Sequence, residues 1–210
     1  MIADSVPWRE QLRSIAIALR RRSHQKRWTE RTYFLVERDL MFGAYAVRRL
    51  IESNKTSSRL AKRHISVKAY DLVGRIPMSL DRSDLAHFYD LDHGRRAELD
   101  VGALCNQLIH TFLFQMWDED DGSTTVAFAS DRARSALLYS ASLDRIAELF
   151  DYVGREEVVR MRGTMRVGLQ TWDRVSNHDL VESGAARYVD ESRIETDWVG
   201  PDAQEVHGAQ

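Results

Sequence analysis

The sequence predicts an α+β fold: two N-terminal helices and a central helix packed on a mostly antiparallel sheet of four to five strands. Apolar residues recur at three- and four-residue spacing through the N-terminal quarter and again from Val101 to Leu108, as amphipathic helices require. Between and beyond those stretches lie short runs, such as 65–70 and 124–130, that alternate or are rich in β-branched and aromatic residues. Asp, Gly and Ser clusters separate the later runs by few residues, which favours antiparallel connections.

At 210 residues the chain suits one α+β domain over residues 1–175, followed by an acidic, poorly patterned tail over 176–210. A hydrophobic fraction of 43% and a charged fraction of 30% exclude the disordered and fibrous classes. No apolar run approaches the roughly 18 residues of a membrane span, so no membrane partner is expected. The first 22 residues place acid before base around a broken apolar stretch, which argues against a signal peptide. A single cysteine, Cys105, excludes an internal disulfide and a multi-cysteine zinc site. Together these features fit a bacterial cytoplasmic protein.

The net charge of −2 conceals an asymmetry: residues 1–63 carry +9, residues 64–175 carry −5 and residues 176–210 carry −6. Such a split fits an anionic partner for the front, or attraction between the two ends of the chain.

Pro7 suits the first turn of a helix running to about Arg22, with Trp8, Leu12, Ile15 and Leu19 as its apolar stripe. It leads into a basic cluster, Arg20, Arg21, Arg22, Lys26 and Arg27. These cations either grip phosphates or cap a solvated helix end. Thr29 and Glu30 open a second helix, to about Ser53, whose stripe is Tyr33, Val36, Leu40, Ala44, Val47 and Ile51. Glu37 and Arg48 fall in or beside that arc. Being 11 residues apart, about 16 Å along the axis, they cannot satisfy each other. Each needs a partner from elsewhere, unless both lie on the rim of a narrower stripe.

Ile65, Val67 and Ala69 alternate with polar residues as a half-buried strand. From Gly74 to Leu99 no period holds, so a loop with a short helical turn is expected. It contains His87, Asp90, Asp92 and His93, metal ligands in type whose spacing matches no metal motif. Neither a metal nor a cofactor is therefore expected.

Asp100 caps the central helix, which reaches about Thr111 and buries Val101, Leu104, Cys105 and Leu108. Residues 112–117, 124–130 and 135–140 read as a three-strand meander. Ser142 opens a further helix, with Gly154 as its stop. Residues 157–172 fit either a strand or a helix, and Gly163 and Gly168 favour strand.

Phosphate-loop, dinucleotide, serine-hydrolase and zinc-protease motifs are all absent. The remaining candidate for chemistry is Asn106 with His110, four residues apart on the less apolar side of the central helix. Glu37 or Arg48 from the second helix would complete it. A histidine moves protons, an arginine stabilises a developing anion and an asparagine orients either. Such a group could cut RNA without metal, with the 2′-hydroxyl as internal nucleophile. Over about six residues the spacing resembles the Arg-polar-His helical motif of the HEPN ribonucleases. Cys105 stands where that arginine would be, and antiparallel strands are foreign to that all-helical fold.

Two functional expectations follow. The first is a non-catalytic binding or assembly protein with a protein partner, or with itself as a homodimer through the second helix, which carries Tyr33, Phe34, Phe42 and Tyr45. The second is a metal-independent ribonuclease or RNA-binding protein, with His110, Asn106, Glu37 and Arg48 as the site and the Arg20–Arg27 cluster holding phosphates.

Overall fold

The computed structural model describes residues 4–79, 81, 84–166, 169–183 and 195–198. Helices α1 (Val6–Ser23) and α2 (Glu30–Glu52) lead the chain. Pro7 sits in the first turn of α1, and a capping box between Thr29 and Thr32 starts α2. β1 (His64–Asp71), β2 (Arg95–Asp100), α3 (Val101–Ile109) and β3 (Thr111–Asp118) follow. β4 (Thr124–Ser130), β5 (Leu137–Ser142) and α4 (Leu143–Arg155) come next. β6 (Val158–Arg166), β7 (Leu169–Ser176), α5 (Asn177–Glu182) and β8 (Glu195–Trp198) complete the described elements.

Strands β1 to β5 form one antiparallel sheet in the order β2-β1-β5-β4-β3. β2 and β3 are its two edges, and α3 is the whole connection between them, so it must cross the sheet from one edge to the other. Asp100 caps its start, its Oδ1 accepting from the Ala103 N–H at 2.6 Å. Its far end is tied down where Gln107 Oε1 accepts from the Ser130 N–H at 2.9 Å.

The sheet is covered on both faces. Val67, Val126, Phe128 and Ala141 meet α1 to α4 in the larger apolar cluster. Tyr70, Ala127, Ala129 and Leu138 meet Leu85, Phe88 and Tyr89 from the 72–94 connection on the other side. This double cover explains why every residue of β4 is buried although the strand does not alternate. The 72–94 connection is fastened by Val73 N–H to Phe88 O (2.9 Å) and by Tyr89 Oη–H to Arg134 O (2.7 Å).

The α+β class and the five-stranded antiparallel sheet agree with the sequence reading, and three local expectations are corrected. β2 lies inside the stretch expected to be loop. As an edge strand it turns only Ala97 and Leu99 partly inward, too short an apolar pattern to register as a period. Gly154 lies within α4 rather than past its end. A Cβ there would come within 2.7 Å of Arg13 Cγ, so the glycine permits close approach of α1 and α4. Within 157–172, residues 158–166 and 169–172 are strand, as expected, but belong to two strands: β6 and β7 pair antiparallel in a second sheet, with β8 parallel to β6, and Gly168 lies outside the described residues. Within 176–210 the described residues include α5 and β8, and Tyr188 lies outside the described residues.

Candidate functional site

α2 and α3 pack against each other, and their polar flanks meet at a groove of about 630 Å³. Arg48, Asn106, Gln107, His110, Asp131 and Arg132 are among its lining residues. Arg48 lies beside the apolar arc of α2, so its guanidinium emerges at the helix seam. Nε donates to Glu52 Oε1 at 2.7 Å and Nη1 donates to Asn106 Oδ1 at 2.9 Å. The hydrogen bond from Arg48 holds the Glu52 carboxyl below its usual pKa range.

Asn106 and His110 are both exposed on the outer side of α3, while Leu104, Cys105 and Leu108 fill the core behind them. His110 caps the helix C-terminus, its backbone N–H donating to Asn106 O at 3.1 Å. Among the described residues its ring has no hydrogen-bond partner. Asp131 is drawn away by Arg134, Nε to Oδ1 2.8 Å, whereas exposed Arg132 has no ion-pair partner among the described residues. The groove thus gathers three basic groups, and its one lining carboxylate is already paired.

Three of the four residues expected to converge do so. Arg48 and Asn106 touch directly, and His110 lines the same groove. Glu37 does not join them. It is exposed three turns earlier on α2, in a separate groove with Trp28, Thr29, Glu30, Tyr33 and Phe34. Lying beside the stripe placed both residues at the rim, yet 11 residues of rise send them to different ends of the helix. Arg132, in the turn read only as a connection, is the groove residue that the sequence did not single out.

The basic cluster is divided. Arg22 turns inward to a buried ion pair with Asp39, at 2.5 Å, and has no room for a phosphate. Arg20 sits 3.6 Å from Asp151. Arg21, Lys26 and Arg27 are exposed and make no ion pair among the described residues. Thr124 Oγ1 donates to Ser23 O (3.0 Å), fixing the end of α1 at the start of β4, while Gln107 and His110 lie at the end of that strand. Seven residues of strand separate these points by about 20 Å. The cluster and the groove are therefore separate surfaces.

Among the described residues no three potential metal ligands converge. Asp90 instead accepts from His93 Nδ1 at 2.9 Å, which raises the histidine pKa and lowers that of the carboxyl. The Cys105 thiol is pushed up to about 12 by burial and is no nucleophile.

The outer side of α2 carries a second feature. Phe34, Met41, Phe42 and Tyr45 are exposed by 59%, 40%, 53% and 45%, although each is large and apolar. At 100° per residue Phe34, Met41 and Tyr45 fall within about 40° of one another, with Phe42 flanking them. α2 therefore has two apolar faces, one in the core and one in solvent. Of the described helices, none is long and apolar enough to cross a membrane.

No family model, curated protein or solved structure matches this chain.

Proposed function

We propose that the chain is a non-catalytic assembly protein that pairs with a second copy of itself through the outer face of α2. The supporting observation is the row of Phe34, Met41, Phe42 and Tyr45, since contiguous exposed apolar side chains on a rigid helix mark an interaction surface. A two-fold axis between Met41 and Phe42 makes the face self-complementary for an antiparallel partner, as an isologous contact requires. In that register residues whose numbers sum to 83 stand opposite. Met41 meets Phe42, Arg38 lies over Tyr45, Arg49 over Phe34, and Arg31 faces Glu52. Cations then meet rings or a carboxylate, and no like charges stand at one height.

The test is sedimentation at micromolar concentration. The wild type should run as a dimer and Met41→Glu as a monomer with an unchanged circular dichroism spectrum. Phe42→Cys should cross-link across the axis on oxidation, because the native thiol is buried and cannot compete. A monomeric wild type, or a dimer indifferent to Met41→Glu, overturns the reading.

The contact between Arg48 and Asn106, with His110 and Arg132 beside it, favours a second reading: RNA bound or cut at the α2–α3 groove without metal. Incubating the protein with RNA in EDTA beside His110→Ala separates the alternatives. Cleavage lost in the variant supports catalysis. Equal cleavage or none removes catalysis, and binding that weakens steeply with salt leaves an RNA-binding surface.

A further inference from the structure

The groove that took Glu37 away from the basic site has a chemistry of its own. Its lining is short: Trp28, Thr29, Glu30, Tyr33, Phe34 and Glu37, around about 390 Å³. Three of the six are aromatic and two are carboxylates. None of the nearby cations Lys26, Arg27 and Arg31 belongs to the wall.

Two of the aromatic walls are fixed by their polar ends. Trp28 Nε1–H donates to Asp118, 3.1 Å from Oδ1 and 3.2 Å from Oδ2. Tyr33 Oη–H donates to Phe114 O at 3.2 Å, and its ring meets Phe114 edge-on at 5.5 Å and 79°. The Thr29 hydroxyl is occupied within the capping box, accepting from the Thr32 N–H and bonded to the Thr32 hydroxyl. Every side-chain donor of the wall is therefore engaged elsewhere. A ligand is offered aromatic side chains and carboxylates, with no free side-chain donor for an anion.

The two carboxylates differ in availability. Glu30 occupies the first turn of α2, where it answers the positive end of the helix dipole. Glu37 lies beyond that turn, is exposed and has no ion-pair partner among the described residues. Its neighbour Arg38 is turned to Asp39, Nε to Oδ1 2.9 Å. Its charge adds to the burial that pushes the Tyr33 hydroxyl up to about 12, so the phenol stays neutral. An uncommitted anion beside ordered aromatic faces is the complement of a cation that needs no acceptor geometry.

We propose that this groove binds the quaternary ammonium head of a small molecule, held over Trp28 and Tyr33 with Glu37 as the counter-charge, while Phe34 belongs to the dimer face. A trimethylammonium group spreads its charge over methyl groups and carries no N–H. It loses little on leaving water and gains from ring faces and a nearby carboxylate. Choline is the probe, and 3,3-dimethylbutan-1-ol is its uncharged isostere.

The experiment is an NMR titration of the full chain that follows the Trp28 indole N–H, assigned with Trp28→Phe. Choline should shift that resonance saturably, and the neutral isostere should bind roughly three- to thirtyfold more weakly. Glu37→Gln should weaken choline about threefold or more while leaving the other indole resonances in place. The position is exposed, so folding is not at stake. Absence of a saturable shift, equal binding of the isostere, or indifference to Glu37→Gln overturns the proposal. A trimethyl-lysine peptide binding tenfold or more tightly than choline overturns the small-molecule assignment. Sedimentation of Met41→Glu is read independently, so failure of the dimer leaves this groove intact.

Discussion

Arg22 of α1 and Asp39 of α2 form a buried ion pair, Nη1 to Oδ2 2.5 Å, with side-chain exposures of only 11% and 6%. The other carboxylate oxygen accepts from Arg38 Nε at 2.9 Å and Nη2 at 2.6 Å. Breaking such a pair strands a charge away from water. Asp39→Ala should therefore cost about 3–5 kcal/mol, or roughly 6–20 °C in thermal midpoint. Combining Arg22→Met with Asp39→Leu should restore most of that loss, because no lone charge remains. A midpoint shift for Asp39→Ala within about 2 °C would show the pair to be dispensable.

Glu156 is fully buried, and only one of its oxygens is partnered: Oε1 accepts from the Ser57 N–H at 3.3 Å. Burial raises its pKa above the ordinary carboxylate value. The sign follows from linkage. A raised folded pKa contributes stability that is complete below the unfolded pKa, near 4.3, and is lost as pH rises through the folded pKa. Glu156→Gln should accordingly be more stable than wild type at neutral pH, by about 1 kcal/mol or more, and equal to it near pH 4. Urea melts at the two pH values decide the matter, and destabilisation at neutral pH would contradict it.

Gly43 in α2 faces Phe150 of α4 so closely that a Cβ would stand 2.2 Å from the ring. Helix propensity alone makes alanine better than glycine by about 1 kcal/mol. Here the clash should win, with Gly43→Ala losing about 1–3 kcal/mol and Phe150→Leu in the same chain recovering part of it. Thermal melts of both variants test this, and a stabilised Gly43→Ala would contradict the contact.

Cys105, 1% exposed with its thiol pushed up to about 12, should react with Ellman's reagent only as fast as the protein unfolds globally. Labelling that is rapid in native buffer and insensitive to stability would place the thiol at the surface instead.

Much of the architecture was legible because helix stripes, a first-turn proline and Thr and Asp caps carry their meaning locally. α2 and α3 begin at the caps Thr29 and Asp100, and α1 begins around Pro7, for that reason. β2 was not legible, since an edge strand has half its hydrogen bonds and little apolar demand. The Arg48–Asn106 contact was readable because both are polar groups beside apolar arcs on helices that had to touch. Two residues escaped. Asp39 is one acid on a helix flank, and only the position of Arg22 across the interface makes it buried. Arg132 sits in a turn, where an arginine is ordinary until the fold brings α3 beside it.

The hydrogen bond from Ser23 Oγ to Asp144 Oδ1, 2.6 Å long across 121 residues, joins the end of α1 to the first turn of α4. Seen from the ribosome, this pairing is a delay. α1 and α2 emerge with their core stripes and the Arg22–Asp39 pair already encoded, but α4, the surface against which α1 packs, follows about 100 residues later. At roughly 5–20 residues per second that interval is about 5–20 s. During it Leu12, Ile15 and Leu19, buried in the finished fold, lack the helix that covers α1, which makes this the interval of greatest exposure to aggregation.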